Sequence, residues 1–501
     1  MSKQMIIVGA GISGLSTGFY AQLNGFRTRI FEMHDVPGGL CAAWKRKGYK
    51  FDISMHLVMG SKNGPFHKLW EEIGVLENQE FHYNQSMAFI DGLDHKLDLC
   101  SDGAKLREQM SRISPADLAL IDEFIRIYCG PDFMGSFNLD APETTGFLSK
   151  LKQFISIIPM MGLFRKYSKL TMRDFAKRFR DPFLAEAIRF GIDHPGWPMV
   201  DYPLVAMAGF SRLGVTDAGN PKGGSFQAVG RIARRYKALG GEIQFKSRVR
   251  DLIIENGSAK GIILDDGSIQ KADIVVWAAD GHHLLYDILG GRYNDKVIDK
   301  MYSEWIPVQP LVHVCYGVNM DLSAEPGRIT RELEKSIMVG GRAFRWISVI
   351  MHHFDPTTAP EGKTALEVWY AADYDFWENL AKDRNAYDAE KKRIAQITSD
   401  ELEKKWPGFK SRIEVEEVAT PMTYVRYTGN WRGSPDGWYV TVDNLMSQTM
   451  KRTLPGLKQL YMVGQWTAPY TGTVMAAASG RQLVQILCRR EKIRFITEIQ
   501  E

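Results

Sequence analysis

Short, wholly apolar runs punctuated by glycine set the pattern of the opening residues. Met5 to Val8 is one such run and predicts a buried strand. Leu15 to Leu23 follows with the spacing of a helix. Arg27 to Phe31 predicts a second strand, which ends on the acid Glu32. The same grammar returns later in the chain. Gly223-Gly224-Ser225 through Gly240-Gly241-Glu242-Ile243 to Val249 reads as helix, turn and strand. Ala272 to Ala279 is another apolar strand, followed by Asp280. Leu460 to Val463 predicts a strand closed by Gly464, and Thr473 to Leu487 a helix. Lys382 to Lys405 is charged at helical spacing and predicts a solvated helix face. Repeats, low-complexity stretches and long flexible linkers are absent from the pattern.

The first turn carries chemistry. Gly9, Gly11 and Gly14 form G-x-G-x-x-G between a strand and a helix, with Glu32 roughly 20 residues on, at the end of the next strand. Gly9 permits the tight turn. Gly11 offers no side chain, so a pyrophosphate can approach the backbone. Gly14 allows the helix to lie close on the strand. The unpaired N–H groups and positive end of that helix then face the phosphates. Glu32 can accept hydrogen bonds from ribose hydroxyls and would repel a ribose phosphate, which disfavours NADP. FAD and NAD remain.

Composition narrows the setting. A chain of 501 residues needs two or three lobes, and 45% hydrophobic with 24% charged residues is ordinary for a globular protein. Lys plus Arg number 63 against 59 Asp plus Glu, a net +4, so no nucleic-acid partner is implied. Cys41, Cys100, Cys129, Cys315 and Cys488 are scattered and odd in number, which fits reduced thiols. His282-His283 and His352-His353 lack metal-ligand spacing, and no metal is expected. No run reaches the ~18–20 apolar residues of a membrane span, and the fold motif begins too early to leave room for a signal peptide. The expected location is cytoplasmic. GxSxG, P-loop and HExxH motifs are missing. No second GxGxxG follows a strand, so a dedicated nicotinamide domain is not expected. Electrons would pass to or from a quinone, oxygen or another protein.

Three further segments resemble one family and favour FAD. Glu32 is followed by Met33-His34-Asp35-Val36-Pro37-Gly38-Gly39, the acid-then-GG continuation of FAD-dependent amine oxidases and phytoene desaturases. Gly38-Gly39 through Gly48, Phe51 and Asp52 matches GGxxxxxxxxGxxFD, and Ala272 to Asp280 matches ADxVVxxAD, of the phytoene desaturase, carotenoid isomerase and retinol saturase group. Leu460 to Gly464 with the following helix resembles the family's C-terminal flavin-binding return. The resemblance spans nearly the whole length, strongest in the nucleotide pieces.

It implies an α/β fold: a Rossmann-type, discontinuous FAD-binding domain (1–81, 215–290 and 440–501) with a mixed α+β substrate-binding or lid domain (82–214 and 291–439). It implies FAD contacts from Gly9, Gly11, Ser13, Gly14, Glu32, Met33, Gly38, Gly39, Leu40, Ser54, Met55, His56, Val249, Ala279, Gly464, Gly472, Thr473 and Val474. Val249 would lie beside the adenine. The implied activity is hydride exchange between flavin N5 and a long apolar, isoprenoid, carotenoid or lipid substrate, in desaturation, saturation or isomerisation.

Near the expected ring position the sequence departs from desaturases. It reads Ile53-Ser54-Met55-His56 where they have a small residue, Gly and Pro, and Pro469-Tyr470-Thr471-Gly472 where they have PGxG. FDxxxH is more like retinol saturases and puts carotenoid desaturation itself in doubt. His56 and Tyr470 are the candidate catalytic residues. For each, a packing role stands beside the chemical one. Cys41 fits a buried thiol rather than a flavin link. An amine oxidase-like enzyme and a prenyl-binding, non-catalytic protein like the Rab GDP-dissociation inhibitors remain as alternatives.

Residues 147–170 interleave Phe154, Ile155, Ile157, Ile158, Met160 and Met161 with Lys150, Lys152, Arg165, Lys166 and Lys169. This suits either a peripheral contact with the inner face of a membrane or a lid helix packed on its own domain, with Pro159 breaking or kinking any helix. Trp197, Trp305, Trp346, Trp369 and Trp377 are channel or core residues.

Overall fold

The apolar runs line up as neighbours in space although they lie hundreds of residues apart. The computed structural model describes residues 2–52, 57–130, 137–146, 161–191, 201–468 and 472–499, with positions 151, 155 and 158. Gln4–Val8 is an interior strand of a nine-stranded sheet among these residues. It pairs in parallel with Arg27–Phe31 on one side and Ile274–Trp277 on the other. Leu457–Met462 extends the parallel set beyond Ile274–Trp277, and Glu242–Gln244 beyond Arg27–Phe31. The antiparallel pair Val249–Glu255 and Ser258–Leu264 closes the far edge.

Strands buried on both faces need apolar side chains throughout. Ile7, Ile30, Val275, Val276 and Leu460 are fully buried. Helices Ile12–Leu23, Gly224–Ala238 and Thr473–Glu491 supply side chains to one shared core with the sheet. The first and last of these touch closely: a Cβ at Gly480 would meet Thr17 N and Oγ1 at 2.7 Å. The expected elements of the nucleotide fold are all present, each within a few residues of its expected ends.

A second sheet of seven strands, again among the described residues, runs in the order Ile413–Ala419, Leu311–Val318, Thr364–Ala371, Arg342–Met351, Arg328–Val339, Ser86–Asp91, Lys96–Cys100. Its pairs are antiparallel except for Arg328–Val339 with Ser86–Asp91. Leu311–Val318 and Thr364–Ala371 are buried at every position, so both faces are covered. Arg384–Lys405 covers one face. Its charge lies outward while Tyr387, Ile394, Ala395 and Leu402 pack inward. Trp305, Trp346, Trp369 and Trp377 are core residues, all 9% exposed or less. Trp197 lies outside the described residues.

The described helices include none long and apolar enough to cross a membrane. The five cysteines form no disulfide, and Cys41 is buried.

Candidate active site

The glycine turn shows why each glycine is there. Gly9 adopts φ +99, a left-handed conformation that side chains resist, and its N–H donates to Phe31 O at 2.8 Å. A Cβ at Gly14 would lie 2.0 Å from Gly9 O, so only glycine lets the helix sit on this strand. Gly11 is the opposite case. A Cβ there meets nothing within 4 Å, and its φ of −70 suits any residue. The space over Gly11 is therefore open. Gly11 also caps Ile12–Leu23 with no side-chain hydrogen bond, leaving the helix N–H groups to the groove.

Glu32 is 6% exposed. Its Oε2 accepts Ala10 N–H at 2.7 Å and its Oε1 accepts His34 N–H at 3.0 Å. Each oxygen keeps a second lone pair, so the carboxylate is oriented and still able to accept ribose hydroxyls. Gly38 forms a parallel bridge with Gly11 and donates to Ala10 O at 2.9 Å. A Cβ on Gly39 would lie 3.6 Å from Gly11 Cα. Met33, between Glu32 and the double glycine, is half-buried.

Distant segments converge on the same turn. Ser247 N–H donates to Glu32 O and Lys246 N–H to His34 O, which brings the start of the Val249 strand beside the acid. Ala279 lies against Gly9, whose Cβ would stand 3.6 Å from the Ala279 Cβ. Gly464, at φ +99, has its Cβ position 3.1 Å from Ser13 Oγ, and its N–H donates to Ser479 Oγ. Gly472 caps Thr473–Glu491 without a side-chain hydrogen bond, and a Cβ there also meets nothing within 4 Å. Val474 is buried in the core of that lobe. Leu40 packs against Leu311, Trp369 and Tyr424 of the second lobe. Ser54, Met55, His56 and Tyr470 lie outside the described residues.

A turn with an open face, an oriented acid, and two helix N-termini with no side-chain cap fit an extended dinucleotide. The family model described as flavin containing amine oxidoreductase matches residues 12–487. The chain belongs to the flavin containing amine oxidoreductase family. Like others of that family it is an FAD-dependent oxidoreductase.

Among curated relatives of this flavoprotein, the phytoene desaturase (neurosporene-forming) of Rhodobacter capsulatus is 24% identical, covering 96% of this chain and 93% of its own. The chloroplastic prolycopene isomerase of Daucus carota is 23% identical, covering 95% and 78%. Two solved structures share the fold. An oxidoreductase from Methanosarcina mazei has a TM-score of 0.62 at 15% identity, covering 96% of this chain and 100% of the other. The cyclohexylamine oxidase of Brevibacterium oxydans has a TM-score of 0.60 at 13%, covering 99% and 100%.

Several features of the flavoprotein were not legible in its sequence. Asp52 of the FD pair has its carboxylate on Ser225, accepting Ser225 N–H at 2.7 Å and the Ser225 hydroxyl. It thereby holds the N-terminus of Gly224–Ala238, while Gly223 N–H donates to Asp355. Asp280 is buried and accepts His283 N–H and Trp431 N–H, each at 2.7 Å. Burial pushes its carboxyl up to about 6 against those hydrogen bonds.

A cleft of about 340 Å³ runs from Glu32, His34 and Gly39 to Trp44, Tyr424 and Tyr427. Beside it His313 and Glu367 form a pair with side chains 0% and 2% exposed. Only the pairing of Leu311–Val318 with Thr364–Ala371 brings these two together. No local motif marks them.

Proposed function

We propose that this flavoprotein exchanges electrons with carbon–carbon bonds of a long apolar substrate of the isoprenoid or carotenoid class. Its reactions would be desaturation, saturation or isomerisation. The observation that carries the reading is full-length similarity to enzymes named for phytoene and prolycopene, joined to a dinucleotide groove built from the first, middle and last segments. Residues 1–81, 215–290 and 440–501 are assigned to the FAD-binding domain, and 82–214 with 291–439 to the substrate domain.

Bound FAD supplies a two-electron acceptor or donor. The chain's own residues do the rest. Gly11 and the N-terminus of Ile12–Leu23 hold the pyrophosphate, with Ser13 and Gly464 beside it. Glu32 holds the adenosine ribose, and Val249 lies against the adenine. Gly472, Thr473 and Val474 present the second helix N-terminus to the ring end, where His56 and Tyr470 are assigned as neighbours of the reacting atoms. A dry apolar setting suits exchange with unactivated C–H and C=C bonds, since water would compete for the reactive centre.

Anaerobic stopped-flow spectroscopy tests this. Carotenes or other polyisoprenoids are expected to reduce the oxidised flavin, or to reoxidise the reduced flavin. Amines serve as the comparison. Reduction by small amines and by no apolar compound would reassign the enzyme to amine oxidation.

The route to such a substrate is proposed to be a peripheral membrane contact through 147–170. Leu151, Ile155, Ile158 and Met161 are helical and 44–55% exposed, spaced three or four residues apart, with Arg165 and Lys169 exposed nearby. Apolar side chains on a basic rim suit an anionic bilayer. Co-sedimentation with anionic vesicles should fall sharply in an Ile155→Asp/Ile158→Asp variant. Retention at the wild-type level would remove this contact.

A further inference from the structure

The helix Gly224–Ala238 carries three arginines on one face, towards its C-terminal end. Arg231, Arg234 and Arg235 stand three and four positions apart, the spacing that makes helix residues neighbours. Like charges so placed oppose the helix rather than support it. The repulsion shows in Arg231: burial, then the charge of Arg234, hold its guanidinium below its ordinary range.

The three line a surface cavity of about 450 Å³, with Glu77, Asn78 and Ala238 completing the wall. Two of the guanidinium groups are held by neutral acceptors. Arg231 Nη1 donates to Gln79 Oε1 at 2.6 Å and its Nη2 to Asn78 O at 3.5 Å. Arg235 Nη1 donates to the Glu71 and Glu72 carbonyls, each at 2.7 Å, at the C-terminus of Gly64–Glu72. The Arg235 stem passes Gly74, where a Cβ would lie 2.7 Å from its Cδ. These bonds fix the two side chains and leave both charges uncancelled. A guanidinium also has more N–H donors than they use.

Arg234 has no such structural task. It is exposed, and no described residue hydrogen-bonds or ion-pairs with it. The acids nearby do not balance the cluster. Glu72 pairs with Arg481 and Glu80 with Lys222. Glu77 is the one acid of the wall, and it favours the Arg231 charge without forming an ion pair. Three permanent cations thus face one carboxylate around an open space.

We propose that this cavity binds a phosphate group of more than one negative charge, a diphosphate or a phosphomonoester. The planar fork of arginine matches phosphate oxygens with paired, charge-assisted hydrogen bonds. Two of the three forks are already held, so little side-chain freedom is lost on binding. Ala238 is the one apolar residue of the wall, so the site takes the phosphate end of a ligand and leaves any hydrocarbon part outside. A free phosphate compound and a lipid headgroup share this chemistry. None of the wall residues belongs to the glycine groove, so the site is independent of flavin binding.

Isothermal titration calorimetry of the FAD-loaded protein with inorganic pyrophosphate reads the site, because bound FAD occupies the glycine turn. Saturable binding is expected, and it should weaken at least tenfold in Arg234→Gln. That variant removes an exposed side chain without a partner, so its melting temperature and flavin spectrum should match wild type. Arg234→Lys keeps the charge but not the fork and should fall between the two. Co-sedimentation separates the two sources of phosphate. Phosphatidylcholine vesicles doped with phosphatidic acid present a phosphomonoester, and those doped with phosphatidylserine present negative charge without one. Binding to phosphatidic acid in excess of phosphatidylserine, lost in Arg234→Gln, assigns the site to a lipid headgroup. Pyrophosphate binding without that excess assigns it to a free phosphate compound. Absence of both, or binding that Arg234→Gln leaves unchanged, would overturn the site. Protein that takes up no FAD would sink the flavin reading alone, since the Arg234 variants still report on this cavity.

Discussion

Two glycines three residues apart respond to opposite forces. Gly11 faces open space at an ordinary φ, whereas Gly14 is pressed against Gly9 O. Gly11→Ala should therefore melt close to wild type and bind FAD more weakly, because the added methyl stands where a pyrophosphate would approach. Gly14→Ala should lose stability outright, by about 1–3 kcal/mol or more from overpacking. Thermal melts beside flavin titrations separate the two. Glu32→Ala removes charge-assisted hydrogen bonds worth ~1.5–3 kcal/mol each to a bound hydroxyl. Affinity for FAD should fall about ten- to a hundredfold, with apo-protein stability falling less. An unchanged dissociation constant would remove Glu32 from the ribose site.

At the scale of elements, buried charge decides how the last segment is held. Arg481, on Thr473–Glu491, meets Glu72 at 3.0 Å with side chains 8% and 3% exposed, and Tyr20 donates to the same Glu72 oxygen at 2.5 Å. Arg481 Nη1 also reaches Asp140 at 3.2 Å. Breaking such a pair strands a buried charge, at ~3–5 kcal/mol. Arg481→Met should be destabilised by about that amount, and adding Glu72→Gln should recover part of it.

Two carboxylates give opposite pH signatures. Hydrogen bonds from Lys166, Tyr167 and Arg178 overcome burial and hold Glu123 at about 2. Its stabilisation is present above the ordinary 4.5 and is lost as pH falls towards 2. Glu123→Gln should thus melt below wild type near neutrality and converge with it in acid. Asp280 is raised from 3.8 to about 6, so the native state binds its proton more tightly and stability declines as pH rises across that interval. Compared with Asp280→Asn, wild type should lose melting temperature between those two pH values. Parallel curves would show that folding does not raise the Asp280 carboxyl as described.

For the whole molecule, order along the chain and order in the sheet part company. The strand at 274–277 sits between strands from residues 4–8 and 457–462, so the groove cannot form until the last tenth of the chain is in place. Local periodicity revealed the nucleotide elements because strands buried on both faces must be continuously apolar, and because a pyrophosphate turn must be made of glycine. It revealed the second lobe poorly. Ser86–Asp91 pairs with Arg328–Val339 across more than two hundred residues, and no turn motif announces that union.

The sequence by itself determined the glycine turn, the acid that follows it, the family and the cofactor. Each depends on neighbours close in the chain and on backbone conformations that few residue types accept. Only tertiary structure decided that Asp52 holds a helix start, that Arg481 locks the terminal segment to Glu72, and that His313 faces Glu367. Those contacts join residues from 54 to more than 400 positions apart. Their strength comes from exclusion of water, which no stretch of chain can achieve alone.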